Sequence, residues 1–225
     1  MNRRTILAAV GTTTGALAGC VSDRTDGGNA GGETGDEQHA ATANGSTGST
    51  DGTVRSHFET EPTRPECELE SETVTVKSGG ETETAETATT IPYPDPPDSF
   101  ADDAVVEYVE AFDHAHLTHD VLCDRQGSDG AILSISHAVR ARETFDRTDG
   151  ITHVFLLRAA GATAGVSGNG QKWAADIGYG GVVYAVDETG VARAGFPEAR
   201  PGKTGELESE APDPLTDGTL VAAFD

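Results

Sequence analysis

Lysine is nearly missing from this chain. Only Lys77, Lys172 and Lys203 occur, and 15 basic residues stand against 38 acidic ones for a formal charge of −23. Such a charge repels nucleic-acid phosphates, which excludes nucleic acid as a partner. Aromatic residues make up 5% of the chain, with Trp173 the single tryptophan. A core must therefore come largely from Val, Ile, Leu and Ala. There is no run of about 20 apolar residues, the length a membrane-spanning helix needs. Common catalytic signatures are missing too. Gly165-Val166-Ser167-Gly168-Asn169 begins like a nucleophile elbow but lacks its final glycine. Gly168-Asn169-Gly170 lacks the third glycine of a dinucleotide fingerprint, Lys172 stands outside a Walker spacing, and no HExxH is present. No cofactor is implied.

What is present begins at the N-terminus. Met1-Asn2-Arg3-Arg4 is a basic segment, Thr5 to Ala16 is weakly apolar, and Leu17-Ala18-Gly19-Cys20 reads as a lipobox. Charge, apolar stretch and small residues in that order predict a signal peptide over residues 1–19. The arginine pair ahead of a stretch diluted by Gly11, Thr12, Thr13, Thr14 and Gly15 favours the twin-arginine export route. Processing would leave Cys20 as the first residue and the site of lipidation. One acyl chain holds a protein only marginally, so two are expected. The expected location is the extracytoplasmic side of the cell membrane, with the membrane itself a partner through the lipid on Cys20.

Residues 20–61 are rich in Gly, Thr, Ser, Asp and Glu and read as a low-complexity tether. The tether holds a glycan acceptor triplet, Asn44-Gly45-Ser46. Beyond Cys20, Cys67 and Cys123 form an even pair in an oxidising compartment, which favours a disulfide over two buried free thiols.

Residues 62–225 read as one α+β domain. Thr73-Val74-Thr75-Val76 is a short strand candidate, followed by an acidic loop over 79–90. The prolines after Ile91 force an extended entry into a helix capped by Ser99, with Asp102 three residues on, running to about Asp124. Val105, Val109, Phe112, His116 and Cys123 share one helical face, flanked by Tyr108, His119 and Leu122. From Ala131 the period becomes two: Leu133, Ile135, His137, Val139, Ala141 and Phe145 alternate with Ser134, Ser136, Ala138, Arg140, Arg142 and Thr144. Further strands are expected over 151–166, 172–186 (bent near Gly178, Gly180 and Gly181), 191–194 and 219–224. The order predicts one long helix packed on a curved antiparallel sheet of four to five strands, whose other face is polar.

Helix followed by antiparallel strands resembles the cystatin-like and nuclear-transport-factor-2-like architectures. The acid-rich, lysine-poor composition and the twin-arginine lipobox resemble exported lipoproteins of halophilic archaea. Tyr93-Pro94-Asp95-Pro96-Pro97, with Glu107-Tyr108-Val109 after it, is similar to the start of the domain in such lipoproteins, over residues 64–225. The resemblance implies that the charge serves solubility in brine, where molar salt screens it within about 3 Å. It brings no activity with it.

Three groups of residues are site candidates. His116 and His119 at helical spacing, met by His137 from the first long strand, would make a three-histidine metal site with an open position. Trp173, Tyr179 and Tyr184 would form a ligand face on the sheet. Arg140, Arg142 and Arg158 are expected on the outward sheet face, pairing with acidic neighbours or holding an anion. These features favour a non-catalytic module that binds a protein or small molecule. A metal-binding protein or hydrolase using the histidines is the alternative.

Overall fold

The computed structural model describes residues 52–125, 128–147, 150–202 and 207–225. The expected signal peptide, Cys20 and Asn44 lie outside the described residues.

An antiparallel hairpin of β1 (Thr73–Ser78) and β2 (Glu81–Glu86) comes first. It occupies part of the segment expected to be loop. Gly79 and Gly80, at φ 60° and 92°, supply the left-handed pair that a two-residue type I′ turn requires. The helix α1 (Asp102–Cys123) follows, then β3 (Gly130–Arg147), β4 (Ile151–Ser167), β5 (Lys172–Ala174), β6 (Tyr179–Asp187) and β7 (Gly190–Phe196). Two short helices, α2 (Leu207–Glu210) and α3 (Pro214–Asp217), lead into β8 (Thr219–Ala223). The strands pair in the order β3-β4-β6-β7-β8, all antiparallel, with β5 added to β4. The domain is α+β: one long helix and a strongly curled antiparallel sheet, a half-barrel. No described helix is long and apolar enough to cross a membrane.

On one side of the sheet, Val105, Tyr108, Val109 and Phe112 of α1 pack on Val154, Leu156, Val182, Tyr184, Val186 and Val191. The expectation of a polar opposite face is overturned. There Phe155, Leu157 and Val183 meet Phe196 and Ala199, while Ala185, Ala192 and Leu220 are covered by Val54 and Leu215. Both faces of β4 and β6 are buried, which is why Ile151–Leu157 and Val182–Val186 are almost continuously apolar.

Three other expectations need correction. The tether does not run to residue 61. A 3-10 turn at Val54–His57 puts Val54 fully inside the core, and its N–H donates to Asp187 Oδ2 at 2.7 Å. The helix is not capped by Ser99. Ala101 is the N-cap and its methyl side chain has no acceptor to offer, while Ser99 Oγ accepts the Ala101 N–H at 3.3 Å, one residue outside the helix. The single strand expected over 172–186 is broken between β5 and β6, which pair with opposite ends of β4.

The alternation in β3 also breaks. Register shifts lie between Ile132 and Ser134, Ser134 and Ile135, and Val139 and Ala141. The last one matters for the site. Val139 opposes Arg158 on the α1 side, whereas Ala141 opposes Leu157 and, with Phe145, joins the far-side cluster. The bulge inserts one residue and turns the strand over. His137, before the bulge, therefore faces the helix.

Candidate functional site

Asp113 continues an i, i+4 ladder from Val105 and Val109, so its carboxylate is carried into the helix–sheet interface, where it is 0% exposed. Oδ2 accepts a 2.7 Å hydrogen bond from His137 Nε2, which therefore carries the proton. Oδ1 accepts from the Tyr184 hydroxyl, also at 2.7 Å. That hydroxyl in turn accepts from Arg193 Nε at 3.2 Å. Arg158 Nε lies 3.0 Å from Oδ2, but its N–H is not aimed at an acceptor, so the contact is an ion pair without an aligned hydrogen bond. His114 stacks on His137 with ring centroids 4.8 Å apart.

These neighbours set the charge states. Burial alone would raise the Asp113 carboxyl, but the His137 bond, Arg158 and the Tyr184 hydroxyl hold it below its ordinary range. Burial, then the Asp113 charge, pushes the Tyr184 phenol well up. Burial works against the Arg193 charge, yet Tyr184 and Asp113 more than offset it and the guanidinium stays protonated. His116 is pushed down to about 4 by burial and then by Arg193. At neutral pH one carboxylate, two guanidinium groups and a neutral His116 thus sit between helix and sheet. The Asp113–His137 pair could orient a base, but no hydroxyl or thiol among the described residues bonds to His137.

The three histidines expected to share a metal are not brought together. His137 turns to Asp113, His119 turns to Ile91 and Cys67, and His116 packs near Phe112 at 6.3 Å between centroids. The expected aromatic ligand face is also split. Tyr179 and Tyr184 are five residues apart on an unbroken strand and point to opposite sides: Tyr184 is core, and Tyr179 is 46% exposed. Trp173 lies on β5 opposite Gly165. Of the arginines, Arg158 faces the helix rather than outward, Arg142 pairs with Glu110 of α1, and Arg140 is exposed.

A second polar group sits at the C-terminal end of α1. Cys67 and Cys123 are joined by a disulfide, with Cα atoms 5.8 Å apart. One turn back, His119 Nε2 lies 3.0 Å from the Ile91 carbonyl oxygen. A carbonyl only accepts, so Nε2 holds the proton and Nδ1 presents its lone pair. Nδ1 accepts the Cys67 N–H at 3.4 Å and lies 4.0 Å from Cys123 Sγ. Among the described residues, Cys67, His119 and Cys123 are the one group with metal-ligand atoms mutually within 4.8 Å. Tyr93 stacks on His119 at 4.8 Å, and the Arg64 guanidinium lies 4.0 Å above Tyr93. Burial pushes the Tyr93 phenol up to about 12 against the opposing Arg64 charge, and its hydroxyl donates to the Pro65 carbonyl at 2.9 Å. An open cleft of about 530 Å³ runs along Arg64, Glu66, Cys67, Thr90, Tyr93 and His119.

The proline-run tyrosine and Arg64 gave no site signal in the sequence. Asp113 did give one, as an acidic residue in a ladder of buried valines. Comparison with protein-family models, curated proteins and solved structures finds no match.

Proposed function

We propose that the chain is an extracytoplasmic binding module, held to the membrane by lipid on Cys20, whose partner docks at the Arg64–Tyr93–His119 cleft. The observation that carries this reading is the contrast between the two polar groups. The Asp113 network is sealed between helix and sheet, with its hydrogen bonds directed inward. The cleft opens to solvent and presents an arginine stacked on a tyrosine. Arg and Tyr are the residue types that dominate interface hot spots. An open cleft suits a segment of a partner protein better than a small molecule, which would need deeper enclosure.

The disulfide suits an oxidising compartment and so the exported location. We read the architecture as cystatin-like or nuclear-transport-factor-2-like, an analogy that assigns no activity. The acidic surface is read as adaptation to brine of the haloarchaeal kind, and residues 20–51 as the low-complexity tether. The test is photo-crosslinking from Tyr93 in native membranes at molar salt. A discrete adduct that disappears in Arg64→Ala is expected. Absence of an adduct, or an adduct indifferent to Arg64, contradicts the docking site.

A further inference from the structure

We propose that Cys67, His119 and Cys123 form a redox-gated site for a thiophilic d10 cation such as Zn²⁺: closed as the disulfide, open once that bond is reduced. Its donor set, the spacing of the donors and the orientation of His119 point to it. The donor set is two sulfurs and one imidazole, the soft and borderline ligands that select such cations over the hard ones. The three donor atoms already lie within 4.8 Å of one another. The 4.0 Å between His119 Nδ1 and Cys123 Sγ is within about half an ångström of the ~3.5 Å separation that tetrahedral zinc imposes on an N and an S ligand.

The orientation of His119 is the most telling of these. Metal-ligating histidines nearly always donate the other ring N–H to a carbonyl or carboxylate, which fixes the tautomer and the ring plane. His119 does so to the Ile91 carbonyl, and Tyr93 stacked on its face holds the ring further. The lone pair of Nδ1 faces the two cysteines, where it accepts the long 3.4 Å bond from the Cys67 N–H that a cation would displace. Cys67 and His119 both line the open cleft, through which water could reach a bound cation and complete its shell.

The chemistry balances with a dithiol as reductant. Its two thiols pass two electrons and two protons to the Cys67–Cys123 bond, giving two cysteine thiols and the reductant's own disulfide. Cation binding then releases both cysteine protons to solvent as the thiolates coordinate. The site stands independently of lipid anchoring and of the partner proposed for the cleft.

The experiment uses the full chain carrying Cys20→Ser, so that Cys67 and Cys123 are the only thiols. It is prepared oxidised and phosphine-reduced in molar salt, and Zn²⁺ is titrated against a chromogenic chelator. One Zn²⁺ per reduced chain and none per oxidised chain is expected. His119→Gln should weaken binding at least about tenfold. Co²⁺ in place of Zn²⁺ should give thiolate charge-transfer absorption in the reduced chain alone. Zn²⁺ should also raise the melting temperature of the reduced chain. Equal uptake by both redox forms overturns the proposal, as does an unchanged affinity in His119→Gln. A reduced chain that loses its far-ultraviolet circular dichroism and is not restored by Zn²⁺ overturns it as well.

Discussion

The Tyr184 hydroxyl donates a 2.7 Å hydrogen bond to Asp113, and both side chains are completely removed from solvent. The pair joins the helix to the middle of the sheet. Through it a single carboxylate on α1 reaches four strands: β3 by His137, β4 by Arg158, β6 by Tyr184, and β7 by Arg193 behind the phenol. Hydrophobic packing alone would let α1 slide or rotate over Val154, Leu156 and Val182. Directional bonds of this kind fix its register.

Asp113→Asn should therefore destabilise the domain by about 3–5 kcal/mol, because it leaves Arg158 and Arg193 buried without their counter-charge. Urea denaturation of the variant measures this. Adding Arg158→Met should cost less than the two single changes together, since the second change removes one of the stranded cations. A loss for Asp113→Asn within the range of ordinary surface substitutions would show the network to be incidental.

Acid should unfold the domain in two stages. His116 has its folded-state pKa lowered to about 4 from 6.5. Above pH 6.5 it is neutral in both states and its contribution is fully present. Between pH 6.5 and 4 only the unfolded chain takes up the proton, so stability falls by on the order of 3 kcal/mol and then levels off. Asp113 has a lowered folded pKa, so its contribution is present above the ordinary carboxylate range and is lost as pH falls through the depressed value. His116→Gln should flatten the upper stage and leave the lower one. Thermal melts across pH 3 to 8 test it, and an unchanged slope between pH 4 and 6.5 would contradict the assignment.

The disulfide joins residues 56 positions apart, closing a loop that contains the helix. On chain entropy alone its removal should cost about 4 kcal/mol. Cys67→Ser with Cys123→Ser, compared with the parent by urea denaturation in metal-free buffer, reads this directly. A loss under about 1 kcal/mol would mean that the segment before α1 is already held without it.

Trp173 offers an optical probe, being the single tryptophan. A methyl group on Gly165 would run into the Trp173 ring and lie 2.6 Å from the Ala131 carbonyl oxygen. Gly165→Ala should shift Trp173 fluorescence and destabilise by about 1–3 kcal/mol through overpacking. Gly178→Ala, where nothing lies within 4 Å of the added methyl, is the control and should leave the spectrum unchanged.

The sequence made the long helix and the run of antiparallel strands legible, because apolar period and turn residues are local signals. The Cys67–Cys123 bond is expected from the even pair that remains once Cys20 is set aside. What was hidden depends on contacts between distant segments. Nothing near Val54 shows that it will be buried against Ala185 and Leu220. The bulge after Val139 reverses the face of Ala141 and Phe145, and no residue of that stretch announces it. The three histidines look like one site by spacing, because spacing does not show which other groups compete for each ring. In the fold, Asp113 takes His137 and the Ile91 carbonyl takes His119. The Gly79-Gly80 pair is a local turn signal, but Glu81–Glu86 has Ala85 as its one apolar residue, so no alternation marks the second strand.

The most direct test of the central claim is the mass of the N-terminal peptide from protein extracted from its native membrane. A chain that begins at a diacylated Cys20, with Cys67 and Cys123 recovered as one disulfide-linked peptide pair, is expected. A chain that retains residues 1–19, or that carries an unmodified Cys20, would contradict it.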